Sequence, residues 1–131
     1  MFTTKGRYAL RLMIDLAANK DLGLVPLKDV AERQDVSKKY LEIIAKELVT
    51  NGLIASASGK HGGYKLLRDP SEYSVGEIIE LMEGSFAPVT CLEENADKCD
   101  RSEKCKTLSM WNEFYELEKN FFYEKKLSDL L

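Results

Sequence analysis

Residues 26–66 read PLKDVAERQDVSKKYLEIIAKELVTNGLIASASGKHGGYKL. Two short helical patterns open this stretch, one over about Leu27–Arg33 and one from Ser37 to about Thr50, and a tight connection joins them. Pro26 is tolerated in the first turn of a helix, Ser37 is a good N-cap, and Gly52 suits the left-handed conformation that ends a helix. Two helices joined in this way predict a helix-turn-helix unit.

The hydrophobic period then changes from that of a helix to that of a strand. Leu53–Ser58 and Tyr64–Leu67 read as two short strands, and the segment Gly59-Lys60-His61-Gly62-Gly63 joins them as a flexible turn with a basic tip. A hairpin directly after a helix-turn-helix is the element order of a winged helix-turn-helix domain. The predicted fold is therefore mainly α, with a small β-hairpin wing.

Three further helices flank this unit. The first covers about Thr4–Asn19, the next starts at the capping box Ser74-Val75-Gly76-Glu77 and ends near Glu83, and the last covers about Thr107–Lys125. The last helix is apolar over a wider arc than packing on a single surface requires. We therefore expect the protein to form a homodimer through this helix. We predict a winged helix-turn-helix DNA-binding domain over 1–84, a cysteine-containing loop over 85–106, and a dimerisation helix and tail over 107–131.

The composition is that of an ordinary globular protein, with 44% hydrophobic and 31% charged residues in a chain of 131. There is no apolar run of transmembrane length and no secretory signal at the N-terminus, so we expect a cytoplasmic protein that makes no membrane contact. Residues 1–70 carry 12 Lys and Arg against 8 Asp and Glu, whereas residues 71–131 carry 7 against 14. A basic half that meets phosphate would explain this asymmetry, and so would chance scatter of surface charge.

Enzymatic motifs are absent from the sequence. It has no P-loop, no G-x-S-x-G and no H-E-x-x-H, and its single histidine leaves most acid–base schemes short of groups. We therefore predict that the protein is not an enzyme.

The second helix of a helix-turn-helix places its N-terminal residues against base edges in the major groove. Lysines at that position can reach phosphate or guanine, and a glutamate can accept a hydrogen bond from a cytosine amino group. Such units also occur in proteins that bind no DNA, and a lone histidine on a polar turn is more often a plain surface residue. The candidate DNA-binding residues are Ser37, Lys38, Lys39, Tyr40 and Glu42 on the helix, with Lys60 and His61 on the wing.

Three cysteines, Cys91, Cys99 and Cys105, lie within fifteen residues of one another, and there are no others. An odd number in a cytoplasmic chain argues against a disulfide framework, and thiolates are soft ligands that suit an Fe–S cluster or zinc. Both kinds of site usually have four ligands, and the spacing lacks C-x-x-C pairs. From the residues alone, an Fe–S site, a zinc site and a metal-free thiol cluster all remain open.

Together these segments resemble the family of winged-helix transcriptional regulators that includes IscR, NsrR and CymR. The resemblance covers nearly the whole chain, and it implies a homodimer that binds double-stranded DNA at imperfectly palindromic promoter sites. It also implies that the long C-terminal helices cross between the subunits. The motifs that carry it are Thr4-Lys5-Gly6-Arg7-Tyr8-Ala9, Ser37 with Tyr40-Leu41-Glu42, Asn51-Gly52-Leu53, Gly59 with Gly62-Gly63-Tyr64 and Leu66, Ser74-Val75-Gly76-Glu77-Ile78-Ile79, and the three cysteines.

The resemblance matches the three cysteines to those of the Fe–S branches, which implies a 2Fe–2S or 4Fe–4S cluster that reports iron, redox or nitric oxide status. CymR-like members lack these cysteines and sense through a protein partner. The chain departs from the IscR branch at Leu108, where that branch has a ligating histidine, and from the NsrR branch at about Arg7, where that branch has an acidic ligand. The first cysteine gap is also longer than in either branch.

The fourth ligand and the cluster type are therefore open. Acidic residues in a loop are usually only solvated, and the nearby oxygen donors are Glu93, Glu94, Asp97, Asp100 and Glu103. The alternatives are a regulator that uses its cysteines as a thiol redox switch or zinc site, a protein-interaction module, and a small redox or cluster-carrier protein.

Overall fold

A computed structural model describes residues 2–97 and 99–131. In this part of the chain it contains five α-helices and a two-stranded antiparallel sheet, which confirms the predicted fold class. Short 3-10 turns cover Lys20–Leu22, Pro70–Glu72, Thr90–Leu92 and Leu127–Leu130. The helices are α1 (Thr4–Ala18), α2 (Leu27–Gln34), α3 (Lys38–Thr50), α4 (Val75–Glu83) and α5 (Leu108–Glu124), and the strands are β1 (Ile54–Ala57) and β2 (Gly63–Leu66).

Helices α1, α3 and α4 begin where a capping side chain accepts a hydrogen bond from one of the first free N–H groups. The hydroxyl of Ser37 accepts from the backbone N–H of Tyr40 at the start of α3. Ser74 and Glu77 form the predicted capping box of α4. Between α2 and α3, Asp35 adopts the left-handed conformation with φ of 52°. That conformation lets the chain reverse direction within the short helix-turn-helix connection.

The core lies between α1, α2, α3, α4 and the base of the hairpin. Its fully buried side chains come from each of these elements and from the residues after α5. They include Leu12, Val30, Ile44, Ile54, Ile78 and Leu127. Leu127, which follows α5, packs into the core of the winged domain, whereas none of the residues of α5 is fully buried.

The wing is anchored at both ends. Strands β1 and β2 pair from Ile54 with Leu66 to Ala57 with Gly63. Val25, just before α2, exchanges two backbone hydrogen bonds with Tyr64 at 2.8 and 2.9 Å. A Cβ atom on Gly63 would lie 2.6 Å from the Val25 carbonyl oxygen, so this close approach requires glycine.

No helix in the described part of the chain combines the length and the hydropathy needed to cross a bilayer.

Candidate nucleic-acid interface and cysteine loop

Three of the five predicted DNA-reading residues on this helix lie on the exposed side of α3. Lys38, Lys39 and Glu42 are exposed, whereas Tyr40 is half-buried and its ring packs edge-to-face on that of Tyr8 at 5.7 Å between centroids. Tyr40 therefore contributes to the packing of α3 on α1. Ser37 is exposed, and its hydroxyl already accepts the capping hydrogen bond.

Lys38 and Glu42 form an exposed ion pair one helical turn apart, with 3.8 Å between Nζ and Oε1. A pair of this kind contributes only about 0.3–0.5 kcal/mol. The ammonium group is therefore free to exchange Glu42 for a phosphate at little cost. The Glu42 carboxylate can likewise leave Lys38 at little cost and turn towards a base edge.

A buried carboxylate holds the turn that precedes α3. Asp15 on α1 is only 3% exposed and accepts hydrogen bonds from Arg33 at 2.7 and 3.0 Å and from Gln34 at 3.1 Å. Because Arg33 and Gln34 are the last residues of α2, this network fixes the end of α2 against α1. Arg11 also donates to the backbone carbonyl of Gln34. Sequence reasoning missed this network, although an aspartate on the apolar face of α1, beside Leu16, was a usable signal.

A second ion pair joins α1 directly to α3. Lys5 donates to Glu47 at 2.5 Å, with both side chains about one-third exposed. Lys5 and Glu47 lie 42 positions apart in the sequence, so their pairing follows from the fold alone. This contact fixes the C-terminal half of α3 relative to α1.

Lys60 and His61 are exposed in the turn between β1 and β2, as the sequence predicts. The base of the wing is held by Tyr73, whose hydroxyl donates to the Leu53 carbonyl at 2.6 Å and accepts from the backbone N–H groups of Leu67 and Arg68. Because Tyr73 is fully buried, these hydrogen bonds make the base of the wing rigid, whereas the tip of the wing stays solvated.

Arg68 links the wing base to α4. Its guanidinium lies 4.2 Å from the centre of the Tyr73 ring and makes two contacts with Glu77, at 2.7 and 3.3 Å. Partial burial acts to raise the pKa of Glu77, but hydrogen bonds from Arg68 and the Ser74 backbone outweigh it and hold the pKa below the ordinary value. The sequence identified Glu77 as a capping residue but gave no sign of this partner.

The three cysteines come together around one cavity. Cys91, Cys99 and Cys105 line a space of about 130 Å³, with Leu92, Ser102 and Leu108 as the other lining residues. All three are free thiols. Among residues 2–97 and 99–131, no three His, Cys, Asp or Glu side chains are close enough to hold a single metal ion.

The Cys105 thiol has a hydrogen-bonding neighbour that lowers its pKa. Its Sγ lies 3.4 Å from the Thr107 hydroxyl, and that hydrogen bond, together with the backbone N–H groups of Thr107 and Leu108, lowers the pKa of Cys105 below the ordinary value. Metal ligands and nucleophiles are both thiolates, so the lowered pKa suits either use.

The predicted oxygen donors are not among the residues that line the thiol cavity. Glu93 and Glu94 line a different cavity of about 410 Å³, together with Glu80 and Glu83. In the described part of the chain, the lining of the thiol cavity includes none of the five acidic candidates, of which Asp97, Asp100 and Glu103 are exposed. Leu108 does line it, at the position where the resemblance implies a histidine in the IscR branch. Arg7 is exposed on α1, where its guanidinium lies 3.4 Å from the Thr4 hydroxyl.

Helix α5 has two apolar faces with different surroundings. One face packs on the protein's own domain, where Phe122 lies 5.4 Å from Phe86 and 5.2 Å from Phe2 between ring centroids. The other face is exposed at helical spacing through Met110, Phe114, Leu117 and Phe121, which are 51%, 44%, 66% and 59% accessible. Such a continuous apolar stripe is typical of a protein–protein contact surface.

Comparison with known sequences shows that the chain is similar to transcriptional regulators. Residues 2–131 match the Rrf2 family profile, which is described as an iron-dependent transcriptional regulator. The chain is similar to the HTH-type transcriptional regulator IscR of Klebsiella pneumoniae, with 38% identity over 129 residues, which is 98% of this chain and 78% of that protein.

Solved structures of two regulators are similar over almost the whole chain. CymR, the global cysteine regulator of B. subtilis, aligns with a TM-score of 0.79 and 32% identity over 99% of this chain and 95% of that one. IscR of T. potens aligns with a TM-score of 0.77 and 32% identity over 99% and 85%.

Proposed function

The chain belongs to the Rrf2 family of transcriptional regulators and is not an enzyme, and from this premise we propose that α3 and the wing bind promoter DNA sequence-specifically. The observation that carries the proposal is the exposed side of α3, where Lys38, Lys39 and Glu42 lie on a helix whose preceding turn is held by the Asp15 network. The lysines bind phosphates, Glu42 reads a base, and Lys60 and His61 contact the DNA backbone from the wing. Promoter binding places the protein in the cytoplasm.

A salt titration of DNA binding tests this assignment. Neutralising Lys38, Lys39 or Lys60 with glutamine should weaken binding to every duplex and reduce the slope of log affinity against log salt by about 1. Lys119→Gln on α5 is the matched control and should leave the slope unchanged. Wild-type protein that selects no sequence from a random duplex library, and whose binding does not depend on salt, would contradict the proposal.

Glu42 has a separate role that can be measured independently. Glu42→Ala should reduce the preference for the selected sequence over random DNA by about tenfold or more, if one base contact is lost. It also releases Lys38 from its ion pair, so binding to random DNA should rise slightly. Equal losses on selected and random duplexes would remove Glu42 from the reading residues.

We propose that the protein is a homodimer through the exposed stripe of α5. Helix α5 already uses Phe122 for contacts with its own domain, so the stripe around Leu117 needs a second partner. A second copy of α5 supplies an equivalent apolar stripe, and a twofold dimer presents two reading helices to a palindromic site.

We further propose that Cys91, Cys99 and Cys105 hold an Fe–S cluster whose occupancy changes DNA affinity. Three free thiols around one cavity support this proposal, since soft thiolates are the usual ligands of such clusters. The bound cluster would supply chemistry that responds to iron, redox or nitric oxide status.

The chain's own residues prepare the site in two ways. The Thr107 hydrogen bond lowers the pKa of Cys105 and so stabilises its thiolate form. Leu92 and Leu108 add apolar side chains to the lining of the cavity that the three thiols share. Leu108 also leaves the fourth ligand position of the IscR branch without a donor.

A thiol switch is the second candidate, because Cys91 and Cys99 are exposed and Cys105 has a lowered pKa. The two candidates are separated by absorption spectra and iron and sulfide analysis of protein purified without oxygen. The Fe–S proposal expects a coloured protein that each of Cys91→Ala, Cys99→Ala and Cys105→Ala bleaches while circular dichroism stays unchanged. A colourless protein with stoichiometric zinc, or a metal-free protein that forms a reversible disulfide, would contradict it.

A further inference from the structure

Ile43 lies on the DNA-reading helix with 52% of its surface exposed, whereas its neighbours Leu41 and Ile44 are 1% and 0% exposed. Helix α3 packs on α1, α2 and β1 through its buried side. Ile43 points away from all of these contacts. About half of this large branched side chain therefore remains in solvent, without a contact in its own chain.

The surroundings of Ile43 are charged and point outward. Lys39, Glu42 and Lys46 are exposed at helical spacing around it, so they share its face of α3. A surface with two lysines beside the apolar Ile43 is complementary to a polyanion that also carries an apolar group. In the major groove of DNA, the only such group on a base edge is the 5-methyl of thymine.

We propose that Ile43 determines specificity by contacting a thymine 5-methyl group in the major groove. This inference rests on the proposed DNA-binding function and adds one base preference to it. The β-branched side chain suits the task because it is nearly fixed in one χ1 rotamer on a helix, so little conformational freedom is lost on contact. Burying one methyl group accounts for about a fourfold change in affinity.

Removal of single methyl groups tests the contact. The duplex that wild-type protein selects from a random library is resynthesised with each thymine in turn replaced by deoxyuridine, which differs only in lacking the methyl. We expect one thymine in each half-site at which wild-type affinity falls about fourfold. Ile43→Ala should bind the original duplex about fourfold more weakly and should be insensitive to methyl removal at that thymine.

Two variants serve as controls. Lys39→Gln should bind more weakly overall and still lose about fourfold on methyl removal, because its contact is to phosphate. Ile43→Val should keep most of the methyl sensitivity, and circular dichroism should show unchanged helix content for all variants. Equal methyl sensitivity of wild type and Ile43→Ala at every thymine would overturn the inference, and Ile43 would then be a solvated surface residue. Wild-type protein that selects no duplex would instead contradict the proposed function itself.

Discussion

Glu83 holds the N-terminal cap of α1, because its Oε1 accepts from the backbone N–H of Thr3 at 2.8 Å and from the Thr3 hydroxyl at 2.7 Å. Glu83 is the last residue of α4, and the cysteine loop follows directly. Lys5, two residues after Thr3, pairs with Glu47 on α3. Contacts therefore run continuously from the start of the cysteine loop to the DNA-reading helix. An Fe–S cluster in the cysteine loop could shift DNA affinity through these contacts only if the contacts have two arrangements and the cluster favours one of them.

The first prediction concerns Gly6 and Glu83. A Cβ atom on Gly6 would lie 2.4 Å from Glu83 Oε1, so Gly6→Ala must displace that carboxylate from Thr3. Alanine within a helix stabilises it by about 0.5–1 kcal/mol relative to glycine. We expect this gain in full in a Glu83→Ala background and no gain in the wild type. Urea unfolding of the four proteins measures the difference, and identical effects of Gly6→Ala in both backgrounds would contradict it.

The second prediction concerns Asp15. Asp15→Ala should lower the free energy of unfolding by about 3 kcal/mol, because it leaves the donors of Arg33 and Gln34 without their buried acceptor. Glu116→Ala breaks the exposed Lys119 pair and is the control, with an expected loss below about 0.5 kcal/mol. Equal losses from the two variants in urea unfolding would show that the network adds little.

The third prediction is a pH dependence at the wing base. The lowered pKa of Glu77 means that the folded protein binds its proton less readily than the unfolded chain does. The resulting stability is present above the ordinary carboxyl pKa of about 4.3 and is lost as pH falls through the lowered value.

Glu77→Gln keeps the capping box but removes this charge. It should cost about 1 kcal/mol near pH 7, and its cost should shrink as wild-type Glu77 becomes protonated in acid. Thermal unfolding at a series of pH values measures both proteins. A cost that stays constant as pH falls through the titration would refute the role of the ion pair.

The fourth prediction concerns the oligomeric state. Leu117→Glu places a charge in the centre of the exposed α5 stripe, where Leu117 is 66% accessible in one chain. If two copies meet there, burying unpaired carboxylates should convert the dimer to a monomer. Asn112→Glu, on another exposed side of α5, should leave the dimer intact. Light scattering at micromolar concentration decides, and a wild-type monomer would exclude this interface.

The fifth prediction concerns the thiols. Thr107→Val removes the hydroxyl that lies 3.4 Å from Cys105 Sγ, so the pKa of Cys105 should rise towards that of an ordinary thiol. Alkylation of Cys105 near neutral pH should then become slower, as followed by peptide-resolved mass spectrometry. Ser102→Ala, at the wall of the same cavity, is the control and should leave the rate unchanged. Equal rates in all three proteins would show that Thr107 does not activate the thiol.

Local signals in the sequence are sufficient to predict the helices and strands of this protein. Ser37 and the Ser74–Glu77 box mark helix starts through side-chain hydrogen bonds to residues three positions away. Hydrophobic spacing then separates helices from strands, since the two have different periods. The order of elements, the wing and the grouping of three cysteines followed from such neighbours along the chain.

Contacts between distant residues were decided only in three dimensions. Asp15 meets Arg33 across 18 positions and Glu83 meets Thr3 across 80, and no local pattern encodes either pair. Spacing shows which residues share a helix face, but it does not show what that face meets. The sequence therefore predicts one wide apolar arc on α5. Only the packing shows that this arc consists of a face against Phe86 and an open face around Leu117. The exposure of Ile43 beside buried Ile44 has the same cause, because burial depends on which side of α3 the rest of the chain covers.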